Sequence, residues 1–549
     1  MKKVFVIVLT LLSTLPGLHA QPVPLRNDIT ITKLMKAPPL VTRMAYREMD
    51  SSFYLCDVPG NIYKVTFITP DSATYTLMFT SAHHGITYMQ GLQFHDSTIY
   101  VSGNNHTDSA YTQGLVVRGV LGANGNTQWQ VVASGWYETA SAFDHYFSGM
   151  ILNQAGDTII WCSGARGDHG EEQSRNGQFP GLRNTPHTSR MLAIPANGVK
   201  IAIPNDSIGI QYSGFIYCEG VRNTYALAYN ASGHLLGCDN SGDRDDDDEL
   251  NWIRKGLHYG FPYVMGSNPN PQQYPGFNPA TDLLINHASS AFLNGFFYND
   301  STFPQAPLIN FQLPCKNNGP DAALYRDSTT GAIVNGALNG TGTSSFTAHR
   351  SPLGLVFDKD SLLGSDMKGN GFVLSWTRGD TALAGFSQLL APFNDHSEDL
   401  LMLDMQLNLA GDNYEMNAYR IAENFITPID AALRDSSLYV IEFDGGNAGS
   451  FYRIRLPYTQ VSLAEGAPPE ELIAYPNPAQ DYVVITGFAP TNKNFTVQFY
   501  DISGKEILIP ITKHFNHIQV PLRLVPNGMY VCKLICENKV FRTKLMVQH

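Results

Sequence analysis

Long apolar runs are missing from this sequence after its first 20 residues. No later segment therefore reaches the ~20 apolar residues that a membrane-crossing helix needs. Charge is scarce as well: Asp, Glu, Lys and Arg make up 15% of 549 residues, with a formal net charge of −12. A nucleic-acid or anionic-membrane partner is disfavoured on that balance. Seven cysteines are few for a disulfide scaffold of this length, and one must stay single if the rest pair. Cys218 and Cys238 could form one bridge in an oxidising compartment, and buried free thiols are an equally open reading. Segments with a 3.6-residue apolar period are almost absent, which excludes a helical body.

What is present begins with an export signal. Met1-Lys2-Lys3 is a short basic region, Val4 to Leu18 is apolar, and Leu18-His19-Ala20 offers a small residue at a cleavage point. Residues 1–20 read as a signal peptide, with Gln21 opening the mature chain. Gln21 is not a cysteine, so no lipid anchor is expected. The protein is expected to be secreted or at the cell surface, exported through the periplasm.

Residues 21–460 read as short strands separated by turn clusters. Phe53-Tyr54-Leu55-Cys56 runs into Pro59-Gly60-Asn61, and Thr98-Ile99-Tyr100-Val101 into Gly103-Asn104-Asn105. Leu438-Tyr439-Val440-Ile441 runs likewise into Asp444-Gly445-Gly446. Aromatic and β-branched runs punctuated by Gly, Asn and Asp are strand and hairpin signals. Their recurrence at roughly 40 to 60 residues suits the blades of a β-propeller, without fixing the number of blades. With 43% hydrophobic and 11% aromatic residues the core is well supplied. Residues 461–471 form an acidic, Pro-containing linker. Residues 472–549 alternate like a small antiparallel sandwich.

That last segment carries Tyr475-Pro476-Asn477-Pro478-Ala479 with Asp481, then Asp501-Ile502-Ser503-Gly504-Lys505. Asn527-Gly528-Met529-Tyr530-Val531 and Lys544-Leu545-Met546-Val547 follow. In order and spacing it resembles the type A sorting domain of the type IX secretion system, which implies the secretion machinery as a partner. A carbohydrate-binding or immunoglobulin-like sandwich is the alternative that strands alone would permit.

The chemistry-bearing segment of the body starts at Glu219-Gly220-Val221-Arg222-Asn223. A Gly-bounded Arg-Asn between strands presents a guanidinium fork and an amide, suited to planar or carboxylate ligands. Asp243 to Glu249 then supplies hard oxygen donors of the kind calcium takes. A solvated acidic loop paired with Arg222 is the other reading of the same residues. Lys255-Gly256-Leu257-His258-Tyr259-Gly260-Phe261-Pro262 completes the segment.

Taken together, these residues resemble the soluble glucose/sorbosone (aldose sugar) dehydrogenase family. Further matches are Asp144-His145 before Ser148-Gly149-Met150, and His349 before Ser351-Pro352-Leu353-Gly354. The resemblance implies an all-β fold, a six-bladed β-propeller followed by the small C-terminal β-sandwich. It also implies the cofactors pyrroloquinoline quinone (PQQ) and Ca2+, and a sugar or polyhydroxy small molecule as substrate. His145 matches the general base, a role suited to imidazole. Arg222 and Asn223 match quinone contacts, with Arg222 stabilising charge on the reduced cofactor. Gly242 and Asp243 match a calcium loop, and Asp248, Glu249 and Tyr259 a second, structural calcium site.

Three positions depart from the family pattern. Ala165 stands where an Asp orients the histidine, with Asp168 as the nearby substitute. Thr377 stands where a Lys contacts the quinone, with Arg378 beside it to compensate. Tyr225 replaces a polar residue. The expected activity is a PQQ- and calcium-dependent oxidation of an aldose. The rivals are a non-catalytic, calcium-stabilised propeller that binds glycans or a surface partner, and a lactone hydrolase.

Overall fold

The computed structural model describes residues 21–108, 110–122, 126–140, 142–364, 366–379, 386–443, 448–458, 472–486, 495–513, 517–536 and 539–549. The signal-peptide and linker readings, the Asp444-Gly445-Gly446 turn and the side chain of Cys536 lie outside the described residues.

Six sheets form the body. Blade 1 is Val41–Arg47, Ser52–Asp57, Ile62–Thr69 and Ser72–Phe79; blade 2 is Tyr88–His95, Thr98–Asp108, Tyr111–Leu121 and Thr127–Glu138. Blade 3 is Phe147–Leu152, Thr158–Ser163, Arg190–Pro195 and Ile216–Glu219; blade 4 is Thr224–Tyr229, Leu235–Asp239 and Glu249–Ile253. Blade 5 is Pro352–Phe357, Gly371–Ser375, Leu400–Asn408 and Asn413–Glu423. Blade 6 is Pro428–Arg434, Ser437–Glu442 and Ala448–Arg455, completed by the early strand Thr30–Pro39.

The first strand of each sheet packs against the first strand of the next, and that of blade 6 returns to Val41–Arg47. The ring therefore closes on a central channel. Closure is covalently asymmetric: Thr30 pairs with Arg455 and Pro39 with Ala448 in an antiparallel ladder. Local chemistry sets the hairpins within blades. Arg434 faces Ser437 across a two-residue turn, and Asp435 takes the left-handed φ of 53° that Asp tolerates there.

Six seams between blades hold six separate apolar clusters. Ala45, Tyr54 and Phe79 of blade 1 meet Met89, Leu92 and Val101 of blade 2. Tyr100 and Val132 of blade 2 meet Phe147 and Trp161 of blade 3, whose rings stack at 4.2 Å. The same arrangement recurs at every junction around the ring. Burial of this kind is worth about 25 cal/mol per Å2 of apolar area, so each blade depends on both neighbours. Cys218 lies in the seam of blades 3 and 4 and Cys238 in that of blades 4 and 5. Both are buried free thiols, so the free-thiol reading holds and the bridge does not form.

The expected blade spacing fits from Val41 to Tyr88 and on to Phe147, then fails. From Thr224 to Pro352 it more than doubles, because residues 254–351 make a long excursion from blade 4. Its strand Lys316–Pro320 pairs in parallel with the outer strand of blade 5.

Residues 460–549 form a second compact unit. One sheet orders Ile473–Tyr475, Tyr482–Thr486, Ile518–Pro521 and Thr512–Lys513; the other orders Glu506–Ile507, Phe495–Asp501, Gly528–Cys536 and Lys539–Val547. Val483, Ile485, Phe499, Leu534 and Leu545 are among the residues packed between them. No helix among the described residues is long and apolar enough to cross a membrane.

Candidate active site

The residues immediately preceding the innermost strands of blades 3, 4 and 5 converge at one end of the channel. They enclose a cavity of about 360 Å3, lined by Phe143 to Tyr146, Arg222 and Asn223, Asn240 to Asp243, Asp248, His349 and Ser351. That size lies within the range of small-molecule sites.

His145 is placed by two contacts to one residue. Its backbone N–H and its ring Nδ1 both reach the Ala165 carbonyl, at 3.1 Å each. A carbonyl only accepts, so Nδ1 carries the proton and Nε2 holds the lone pair. No protein group takes Nε2 among the described residues. The close approach needs Gly164, where a Cβ would stand 2.4 Å from the Cβ of His145. Burial first, then the nearby charge of Arg222, pushes the imidazole pKa down to about 3. His145 is therefore neutral across ordinary pH. The carbonyl of Ala165 does for the ring what a carboxylate would do at that position.

Asp168 sits elsewhere in the network. Its carboxylate accepts from Arg222 Nη2 at 3.0 Å and lies 3.1 Å from His169 Nδ1, and it also takes the Asp243 N–H at 3.0 Å. Burial alone would raise its pKa; the His169 hydrogen bond and the Arg222 charge hold it at about 2. Gly242 must pack against this group, since a Cβ there would meet Asp168 oxygens at 2.8 Å. Asp239 in turn accepts the backbone N–H groups of Arg222 and Asn223 and pins the Arg-Asn turn.

Asn223 and Asn240 face the cavity, and Asn240 Oδ1 is buried without a hydrogen-bond partner. Such an orphan is costly unless a ligand group meets it. Four lining residues, Phe143, Tyr146, His349 and Ser351, hold φ angles of 57°, 58°, 64° and 52°, a strained region for bulky side chains.

Other residues singled out from the sequence lie away from the cavity. Glu249 accepts from Asn251 Nδ2 and Gly266 N–H, both at 2.8 Å. The Tyr259 hydroxyl is engaged by Trp252 O and Arg254 N–H. Thr377 is buried after blade 5's second strand, its N–H on Arg350 O and its Oγ1 unpartnered. Arg378 approaches Glu398 at 3.9 Å. Tyr225 lies deeper in the channel, 3.5 Å beneath the Arg43 guanidinium.

The acidic run is buried, not solvated. Asp245 meets His349 Nε2 at 2.7 Å and Arg326 Nε at 2.5 Å. Asp246 meets Arg244, Asp247 takes the Ser344 N–H, and Asp248 takes Ser241 and Ser351 N–H groups. Among the described residues no group of three or more His, Cys, Asp or Glu could hold a metal ion. The side-chain donors inferred for calcium, Asp243, Asp248, Glu249 and the Tyr259 hydroxyl, each already hydrogen-bond to protein groups.

Asp144, His349 and Ser351, quoted from the sequence only as family matches, and Asn240 were given no site role, yet all four line the cavity. The signal for them was positional: each precedes an innermost strand or sits in the loop after blade 4's second strand. Asp144 accepts from the Tyr137 hydroxyl at 2.6 Å, and burial raises its pKa to about 6.

At the channel's other end a second cavity, about 390 Å3, is lined by the C-terminal halves of the innermost strands, including Tyr46, His95, Asn153 and Leu433. Arg43 stands between, donating to Gln90 O at 2.7 Å and to Tyr225 O.

Solved structures similar to this chain include three sugar-oxidising proteins. The PQQ-bound aldose sugar dehydrogenase of Streptomyces coelicolor is 12% identical, with a TM-score of 0.45 and coverage of 79% of this chain and 99% of that one. The pyranose dehydrogenase PQQ domain of Coprinopsis cinerea is 9% identical, at 0.48, covering 79% and 97%. The soluble aldose sugar dehydrogenase of Escherichia coli is 14% identical, at 0.44, covering 78% and 99%. No curated protein matches the chain. The family descriptions are more direct: residues 89–305, which hold the cavity's His145, Arg222 and Asn223, match Glucose / Sorbosone dehydrogenase, and residues 473–548 match the Secretion system C-terminal sorting domain.

Proposed function

We propose that this protein is an exported sugar dehydrogenase-type oxidoreductase that oxidises an aldose or related polyhydroxy compound, with PQQ as the electron acceptor. One observation carries the reading: a neutral histidine, His145, whose Nδ1 is fixed by Ala165 O and whose Nε2 faces a polar cavity. Oxidation of a hydroxyl-bearing carbon removes a hydride from carbon and a proton from oxygen. His145 Nε2 takes the proton, and the Ala165 carbonyl keeps the ring aligned as charge develops on it. PQQ, when bound, supplies the two-electron acceptor for the hydride. Asn223 and the orphaned Asn240 Oδ1 would hold it or the sugar's hydroxyls. An anomeric hydroxyl, more acidic than an ordinary alcohol, suits a base of low pKa.

Reconstitution with PQQ followed by a dye-reduction screen across aldoses tests the reading. Sugar-dependent dye reduction is expected. Failure to retain quinone in a folded protein would leave the glycan-binding propeller instead. The C-terminal unit supports delivery by the type IX secretion machinery to the cell surface. Removing residues 472–549 should leave a folded propeller that stays in the periplasm; normal surface delivery of that truncation would refute the assignment.

A further inference from the structure

Another cavity, of about 440 Å3, shares no lining residue with the one at His145. One loop serves both: Arg222 and Asn223 line the first cavity, Glu219 and Gly220 this one. Its polar groups are left largely unused by the protein. Thr185 and Ser189 are 4% and 7% exposed, and both hydroxyl oxygens are buried without a hydrogen-bond partner. Arg190 meets Glu219 through Nη2 at 3.0 Å, yet its Nε is also buried without a partner. Three such orphans in the wall of one cavity are costly unless a guest meets them. His258 adds a further free donor. Its Nδ1 accepts from the Gly260 N–H at 3.1 Å, and burial lowers the pKa of the ring. The neutral imidazole therefore carries its proton on Nε2.

The charges in the wall narrow the kind of guest. Arg183 is matched by Asp300 at 2.6 Å and Arg190 by Glu219, so no unmatched cation is left for an anion. What remains is mixed: N–H donors on Arg190 and His258, an accepting carboxylate on Glu219, and hydroxyls that both give and take. A carboxylate or phosphate only accepts, whereas each hydroxyl of a sugar does both. Phe261 and Tyr263, also in the wall, supply apolar surface for the C–H face of a ring. We propose that this cavity is a second carbohydrate site, one that takes a neutral sugar ring. It needs neither quinone nor His145, so it stands apart from the dehydrogenase reading.

Calorimetric titration of the full-length protein without quinone tests the proposal, with glucose, galactose, mannose and maltotriose as probes. Binding is expected in the wild type and in Asn223→Ala, whose change lies in the other cavity. Arg190→Lys keeps a cation beside Glu219 but removes the planar fork, and His258→Gln removes the ring donor. Each should weaken binding about tenfold, the loss of one or two hydrogen bonds. Binding of a monosaccharide marks a site for free sugar, and binding of maltotriose alone marks one for a sugar chain. No binding of any probe, undiminished binding in both variants, loss of binding in Asn223→Ala, or tighter binding of glucuronate than of glucose would each overturn the proposal. Should Arg190→Lys fail to fold, His258→Gln decides. Sugar binding that survives in a protein unable to reduce dye would sink the dehydrogenase reading and leave this site standing.

Discussion

The two ends of the propeller channel hold cavities of nearly equal size, about 360 and 390 Å3, yet they are chemically unlike. The end bearing His145 has four lining residues at strained positive φ and an orphaned buried amide oxygen. None of the residues lining the other end has a positive φ. There Arg43 is engaged by two carbonyls and stacked on Tyr225. Each strained residue costs of order 1–3 kcal/mol and persists only where surrounding structure imposes it. Volume therefore does not identify the working end. Stored strain and unmet hydrogen-bonding capacity set the two ends apart, and they support the proposed site at the His145 end.

The sharpest way to break this comparison is His145→Gln, which keeps a polar side chain but removes the proton acceptor. Turnover should fall ~10²–10⁴-fold, read by dye reduction, whereas His95→Gln at the other end should leave it unchanged. Equal effects from the two variants would erase the distinction. Next in size is Asp168→Asn. Asp168 and Arg222 are buried, at 0% and 5% side-chain exposure, and breaking such a pair costs ~3–5 kcal/mol. Denaturant unfolding would show the loss, and a variant as stable as wild type would mean that the pair carries no net energy.

A third prediction uses pH. His145 is lost as an acceptor only when protonated, so kcat/KM should hold on the acid side until pH falls towards about 3. An acid limb near 6 that persists in Asp144→Asn would mean that the ring is solvated, since Asp144 in the same cavity itself titrates at about 6. Stability has a matching sign. The folded pKa lies below the unfolded one, so the unfolded chain takes the proton first. The contribution of His145 to stability should thus be lost as pH falls from 6.5 towards about 3, a loss that His145→Gln should not show. The smallest effect belongs to the quiet end. Tyr225→Phe removes the hydroxyl's bond to Thr42 O and should cost about 1 kcal/mol with activity intact.

Much of the fold was legible because strand chemistry is local. Aromatic and β-branched runs ending in Gly, Asn or Asp mark strands such as Thr98–Asp108 and Ser437–Glu442 wherever they fall. The even spacing was not, because the excursion over residues 254–351 leaves no periodic trace. At the site, His145, Arg222 and Asn223 were readable as a motif and do line one cavity. Asp168 was foreseen as the partner of His145, but its carboxylate lies on Arg222 and His169. Which atom orients a ring depends on backbone direction, and no residue type announces the Ala165 carbonyl. The acidic run was equally opaque, since Arg326 and His349, which hold Asp245, lie more than 80 positions away in the chain.

The ring closure has a mechanical side. Ala448–Arg455 is flanked on one edge by Thr30–Pro39 and on the other by Ser437–Glu442, and the chain runs from it towards the sorting domain. A protein held at a surface by its tail would take any pull at Arg455, on a strand anchored by two ladders. Tension would have to shear both ladders rather than peel one free edge. The strand that fastens the beginning of the body to its end is thus also where it would bear load.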